Sequence, residues 1–185
     1  MALLQLSDKV PISDTIRPAC LPEDPKETFG FAEGIITGWG YTEKTKVLKP
    51  RPLTSDVLRE AEVFILPQVG CCWLVNILIL FLFQELCEKY SPFPITDKMV
   101  CTFKGPLGVE TTCQGDSGGP LVVDMGENKH VLVGATSFGV STCEGPYPSM
   151  FTRITEHLGF IYAAMVPAPM EYMMDYKTPF VLDNQ

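Results

Sequence analysis

The sequence predicts an all-β fold that is closed by one C-terminal helix. Short runs rich in β-branched and aromatic residues recur along the chain, and glycine and proline residues separate them. We expect a helix over 155–165, because Thr155 and Glu156 suit a helix start and Pro167 a helix end. The expected strands are 34–39, 58–65, 99–103, 119–123, 131–138 and 149–153.

Length, composition and charge exclude several classes of protein. The chain has 185 residues, of which 46% are hydrophobic, so it can build one domain around a core and is too apolar to be disordered. Its net charge is −8 and it has no run of basic residues, which argues against nucleic-acid binding. No glycine-rich loop of the kind that binds phosphate is present. We therefore expect no nucleic-acid partner, no cofactor and no metal.

Residues 113–120 carry the strongest functional signal and read Cys-Gln-Gly-Asp-Ser-Gly-Gly-Pro. A serine hydroxyl is a weak nucleophile near neutral pH, so it needs a base to take its proton and N–H groups to stabilise the oxyanion. The glycines on both sides of Ser117 allow a tight turn that brings the backbone close to a substrate carbonyl. A simple turn in an all-β protein is the alternative, but a run of this composition is unusual for one.

This run resembles the nucleophile loop of the chymotrypsin/trypsin-like serine proteases. Other segments resemble landmarks of that family and follow in its order, although Phe138 stands where the family usually has tryptophan. They are the strand after the catalytic aspartate (1–6), the inter-barrel linker (16–22), the first strand of the second barrel (36–40), the approach to the nucleophile loop (99–101), the substrate-binding strand (136–139) and the lead into the closing helix (148–153).

The resemblance implies an antiparallel Greek-key β-barrel, the second barrel of the trypsin-like fold, with a C-terminal helix and with the first barrel largely missing. Residues 1–26 would then be the end of the first barrel and the inter-barrel linker. Residues 27–166 would form the second barrel, and 167–185 a C-terminal tail. An extracellular or secreted parent protein is implied, and the chain itself shows no signal peptide.

The resemblance also assigns roles to the residues around the motif. Ser117 would be the nucleophile, the N–H groups of Gly115 and Ser117 the oxyanion hole, and Asp116 the partner of a freed N-terminus in an activating ion pair. The implied substrate-binding residues are Thr111, Ser137, Phe138, Gly139 and Ser149.

The pocket floor is implied to be Thr111, where trypsin-like members carry an aspartate. A substrate lysine or arginine would then be buried without a counter-charge. The expected preference is for apolar residues of medium size, such as leucine or methionine.

The catalytic triad of the family needs a histidine base and an aspartate, and neither is matched. His130 and His157 do not lie in the family's histidine motif, and the acid would fall one residue upstream of Met1. We therefore expect serine endopeptidase function by descent and no activity in this chain as it stands. The alternatives are a non-catalytic homologue that binds or regulates proteins, and a gene-model fragment without a function of its own. The expected partners are a polypeptide substrate or protein and the missing N-terminal half.

The seven cysteines suggest an oxidising compartment. The resemblance implies disulfides between Cys87 and Cys101 and between Cys113 and Cys143, with Cys20 bonded to a cysteine upstream. Adjacent residues such as those at 71–72 rarely serve one tetrahedral site without further ligands, so a metal site is weakly supported.

Residues 69–84 form an apolar insert relative to the family's spacing. From Cys71 to Phe83 the only polar residue is Asn76, and there is no charge. A membrane span needs about 20 apolar residues, so this stretch is too short for one. A translated intron is the interpretation we prefer. A genuine apolar loop and a membrane-dipping hairpin are the alternatives, and a membrane partner is not expected.

Overall fold

The computed structural model describes residues 1–41, 54–67, 77–105, 111–140 and 147–165, with the backbone alone for 77–81. The strands lie where the sequence predicts them, with ends that differ by at most one residue, and the helix predicted over 155–165 is a 3₁₀ turn followed by an α-helix. They run in the order β1 (Glu33–Gly38), β2 (Arg59–Ile65), α1 (Ile77–Tyr90), β3 (Met99–Phe103), β4 (Pro120–Asp124), β5 (His130–Gly139), β6 (Ser149–Arg153), a 3₁₀ turn (Thr155–His157) and α2 (Leu158–Met165).

The strands close into an antiparallel barrel in the order β1-β2-β3-β6-β5-β4, which confirms the predicted fold class. Pairing of β4 with β1 closes the barrel, with Ile36 opposite Leu121. The β4–β5 hairpin turns through Glu127 and Asn128, whose φ angles of 52° and 62° match a type I′ turn. Because the barrel is closed, each of its strands pairs with a strand on both sides.

Alternate residues of the strands point into the barrel and form its core. Leu121 and Val123 of β4 and Val131 and Val133 of β5 are buried, and they pack with Phe151 of β6, which is fully buried. Burying side chains of this size contributes about 1.5–3 kcal/mol each. This alternation is the side-chain period of a β-strand.

Helix α1 packs on the barrel beside β3. Phe83 and Leu86 contact a buried cluster that includes Cys87 and Cys101, and a disulfide joins those two cysteines. The Phe83 ring also lies edge-on to Phe31, with ring centroids 6.4 Å apart. Within the part of the chain that is described, no helix is long and apolar enough to cross a membrane.

The helix changes the interpretation of the apolar insert. Residues 69–84 were predicted only as an apolar insert, but α1 begins inside it at Ile77 and continues without a break to Tyr90. The last part of the insert is therefore helical and contacts the barrel through Phe83. The start of the insert, including Cys71 and Cys72, lies outside the described residues.

The structure has no strand at residues 1–6, which resemble the strand after the catalytic aspartate, and their assignment to the end of a first barrel stays a prediction. Residues 1–19 contain no helix or strand and are exposed. An extended segment becomes a strand only when a neighbour supplies backbone hydrogen bonds, and none is placed beside it. The chain first joins the barrel at Cys20, whose N–H donates to the His130 carbonyl at 2.8 Å and whose carbonyl accepts from Leu132 N–H at 2.8 Å.

Candidate active site

The loop that carries Ser117, residues 113–119, lies directly before β4 and is bonded to β5. Gly118 N–H donates to the Thr136 carbonyl at 2.9 Å, and Thr136 N–H donates to the Gly119 carbonyl at 2.8 Å. Ser117 itself is exposed. This nucleophile loop is therefore held against the end of β5 where the predicted substrate-binding residues begin.

Two glycines of the nucleophile loop adopt conformations that other residues rarely reach. Gly115 has φ = 100° and Gly118 has φ = 79°. Gly115 and Ser117, whose N–H groups are predicted to form the oxyanion hole, are both exposed. Their N–H groups therefore lie on a surface turn. An oxyanion hole needs this, because its N–H groups have to be accessible to a substrate oxygen.

The Asp116 carboxylate binds backbone N–H groups of a distant segment and of its own loop. It accepts from Gly40 N–H at 2.7 Å and from Cys113 N–H at 2.9 Å. A Cβ atom at Gly38 or at Gly40 would collide with this carboxylate, so a larger residue on either side of Trp39 would force the Asp116 side chain to move. The sequence assigned Asp116 a freed N-terminus as its partner. The activating ion pair stays a prediction. The observed partners, Gly40 and Cys113, were not predicted. The Gly-Trp-Gly triplet was the one sequence signal that another group approaches the backbone closely at Gly38 and Gly40.

The segment 137–139 at the end of β5 has one paired edge. Phe138 lies opposite Met150, and Gly139 lies opposite Ser149, both in β6. On the other side β4 starts at Pro120, opposite Ala135, so past that point no described strand covers the edge. A free strand edge beside Ser117 can pair with an extended peptide, because its N–H and C=O groups are open for backbone hydrogen bonds.

An aromatic contact extends the surface beside this edge. The rings of Phe93 and Phe138 meet edge-to-face, with centroids 6.1 Å apart and planes at 85°. Phe93 is 62% exposed, and the Ser91 hydroxyl accepts its N–H at 3.2 Å. The loop after α1 therefore contributes Phe93 to the candidate site. No sequence motif indicated this contact.

The hydroxyl groups of Thr111, Thr112 and Ser149 form a cluster at the start of β6. Thr112 Oγ1 donates to Ser149 Oγ at 3.2 Å, and Thr111 Oγ1 shares a hydrogen bond with the same oxygen. Thr111 and Ser149 were predicted as substrate-binding residues, and the structure brings them together. Thr112 was missed, and its place beside Cys113 gave no separate signal. Cys113 is disulfide-bonded, and its predicted partner Cys143 lies outside the described residues.

Both histidines of the chain lie away from Ser117. His130 is opposite Asp124 at the far end of the β4–β5 pair, whereas Ser117 precedes the near end at Pro120. The length of β4 separates these ends by about 13 Å. His157 follows β6 at the end remote from Ser149, and its Nδ1 is hydrogen-bonded to the Arg153 carbonyl at 2.8 Å. Neither imidazole is placed as a base for Ser117.

A closed six-strand antiparallel barrel followed by a short C-terminal helix matches the barrel of the trypsin-like fold. The family model described as "Trypsin" matches residues 1–161, and the chain therefore belongs to the trypsin family of serine proteases.

Relatives and a solved structure agree with the family. The chain is 33% identical over 156 residues to transmembrane protease serine 9 of Rattus norvegicus, covering 84% of this chain and 12% of that protein. It is 31% identical over 168 residues to ovochymase of Halocynthia roretzi, covering 88% of this chain and 9% of that protein. The chain thus spans only about a tenth of the length of these two relatives.

The barrel also superposes on a solved structure of neuropsin, a serine protease expressed in the limbic system of mouse brain. The TM-score is 0.63 with 30% identity, over 86% of this chain and 59% of that one.

Proposed function

We propose that this chain is the nucleophile-bearing part of a serine endopeptidase that hydrolyses peptide bonds. The observation that carries the proposal is the hydrogen-bonded contact between the nucleophile loop and Thr136, directly before the free edge at 137–139. Bound there, a peptide lies as an added strand with its carbonyl beside the Ser117 hydroxyl. The N–H groups of Gly115 and Ser117 stabilise the oxyanion. Asp116 positions the loop through its backbone bonds.

The base that takes the proton of Ser117 has to come from outside this sequence. His130 lies at the far end of the β4–β5 pair, and His157 lies beyond β6, where its Nδ1 is hydrogen-bonded to the Arg153 carbonyl. Without a base the hydroxyl keeps its proton, and in the family's template only a residual rate of about 10³–10⁴ over water survives loss of the triad. The chain on its own is therefore expected to be inactive.

A fluorophosphonate probe tests the nucleophile. The purified chain is expected to label no more strongly than Ser117→Ala. When the family's first barrel, which carries the histidine and aspartate, is joined to it, labelling and peptide hydrolysis should appear and should vanish in Ser117→Ala. Robust labelling of the chain alone contradicts the missing base, and an inert joined protein contradicts the endopeptidase function.

The proposed substrate preference follows from the uncharged floor of the pocket. Thr111 and Ser149 offer hydroxyl groups alone, so a buried substrate cation would lack a counter-charge at a cost of several kcal/mol. Leucine or methionine should be cleaved in preference to lysine or arginine. A peptide library presented to the joined protein measures this, and a lysine or arginine preference contradicts it.

A non-catalytic homologue that binds polypeptides is the second candidate. The free edge at 137–139 and the remote histidines favour it together, because binding at an edge needs no base. Turnover by the joined protein separates the two functions: binding that persists in Ser117→Ala without any turnover supports the homologue. An extracellular parent protein is proposed in either case, because the Cys87–Cys101 disulfide persists in oxidising compartments.

A further inference from the structure

The hydroxyl cluster has a buried member between two accessible ones. Ser149 is 3% exposed, whereas Thr111 and Thr112 are half-buried. Ser149 Oγ is hydrogen-bonded to both threonine hydroxyls. The three groups therefore form a chain whose middle member has no access to water.

The positions of the protons follow from counting donors. Each hydroxyl has one proton to donate and two lone pairs that accept. Thr112 donates to Ser149, so the proton of the buried Ser149 needs another acceptor, and Thr111 Oγ1 is in reach. Buried donors without a partner are rare in proteins, which favours this order. The chain then runs from Thr112 through Ser149 to Thr111 and ends with the Thr111 proton, for which the described residues provide no acceptor and which a ligand can therefore bind.

We propose that this hydroxyl chain selects an uncharged substrate side chain whose tip accepts a hydrogen bond, with glutamine preferred to leucine. The assignment rests on the proposed peptidase function, in which Thr111 forms the pocket floor. The amide oxygen of glutamine accepts the Thr111 proton, and a methionine sulfur accepts it weakly. Leucine leaves that proton without a partner once water is displaced, and arginine adds a charge that nothing neutralises.

Peptide binding to the full 185-residue chain tests the proposal without requiring catalysis. Four tetrapeptide amides that differ only in the last residue (glutamine, methionine, leucine or arginine) are titrated and followed by ligand-observed NMR. The glutamine peptide should bind about 3- to 10-fold more tightly than the leucine peptide, as one net hydrogen bond implies. The methionine peptide should lie between them, and the arginine peptide should bind most weakly.

Two variants test the order of the protons. Thr111→Val removes the outward donor at nearly constant volume and should bring the glutamine-to-leucine ratio to about one. Ser149→Ala removes the group that orients Thr111 and should lower the ratio in part. Thr152→Val makes the same chemical change as Thr111→Val at a half-buried position of β6 and should keep the ratio of the unmodified chain.

The possible failures are distinct. Equal binding of the glutamine and leucine peptides, or an unchanged ratio in Thr111→Val or Ser149→Ala, overturns the hydroxyl chain and leaves the peptide-binding cleft in place. Failure of all four peptides to bind contradicts the proposed function itself, and the selection proposed here falls with it.

Discussion

The nucleophile loop and residues 1–19 both resemble segments of one protease family, yet only the loop is folded against the rest of the chain. In the loop, Asp116 binds the backbone of Gly40, which is 76 residues away in sequence. Residues 1–19 are exposed, and their hydrogen bonds are local, such as Ser13 N–H to the Ile16 carbonyl at 3.0 Å. Their ion pair, Arg17 with Asp14 at 3.4 Å, joins two exposed side chains.

The difference shows that a motif adopts a defined structure where its hydrogen-bond partners are present. The loop residues find theirs in β1 and β5, which the closed barrel holds in place. The leucines of residues 1–6 have no apolar surface to cover, and Leu4 is 91% exposed. Sequence similarity to the family extends over both regions. The buried side chains that stabilise the fold, in contrast, lie in the barrel.

The largest expected difference between the two regions is in packing. Phe151→Ala should lower the free energy of unfolding by about 3–5 kcal/mol, because Phe151 is fully buried and its loss leaves a cavity. Leu4→Ala should change it by less than about 0.5 kcal/mol. Urea unfolding under oxidising conditions measures both. A cost for Leu4→Ala near that for Phe151→Ala would show that residues 1–19 are packed after all.

The next effect concerns the cysteines. Replacing Cys87 and Cys101 together by alanine should lower the free energy of unfolding by about 3 kcal/mol, because the crosslink restricts the unfolded chain. Cys20 is a free thiol at the boundary between the exposed segment and the barrel, so Cys20→Ser is the matched control. It should leave stability nearly unchanged. An equal loss in Cys20→Ser would mean that the sulfur atoms act by packing.

A smaller effect is expected at the contact that holds the nucleophile loop. Gly40→Ala places a methyl group against the Asp116 carboxylate and should cost about 1–3 kcal/mol. Gly159→Ala in α2 meets open space and should stabilise by about 0.5–1 kcal/mol. Thermal unfolding measures both, and the amide NMR signals of residues 113–119 should shift in Gly40→Ala alone. Equal stability of the two variants would contradict the close contact between the Asp116 carboxylate and Gly40.

The smallest effect lies at the linker, where Lys129 Nζ and Glu23 Oε1 are 2.8 Å apart. The hydrogen bond from Lys129 and its charge lower the pKa of the Glu23 carboxyl. Any stability from this pair is present above the ordinary pKa of glutamate and is lost as pH falls through the lowered pKa of the folded state. Both side chains are exposed, so salt weakens the effect.

An NMR titration of Glu23 checks the linker pair. Lys129→Met should raise the pKa of Glu23 toward its usual range, whereas Lys26→Met, which removes the same charge from a nearby exposed position, should change it less. The two variants have the same net charge, so a general field effect would shift the pKa equally in both. Such equality would contradict a specific ion pair.

Much of the site was predictable, and the misses have a common cause. Ser117, Thr111 and Ser149 were predicted as site residues because a short motif and its spacing carry them, and the structure brings Thr111 and Ser149 together. Thr112 and Phe93 were missed because each joins the site through a side chain of another segment, Ser149 and Phe138 respectively. The early start of α1 was missed because an apolar run without charges has no periodic signal that separates a helix from a loop.

The sequence by itself determined the strands of the barrel and the closing helix, and it singled out Ser117 as the candidate nucleophile, because runs of β-branched and aromatic residues, turn residues and a compact motif are local properties. Only the tertiary structure decided that Asp116 binds Gly40, that Ser149 lies between two threonine hydroxyls and that His130 stands at the far end of the β4–β5 pair. These contacts join residues that are distant in sequence. They depend on which strands pair, and in which register, when the barrel closes.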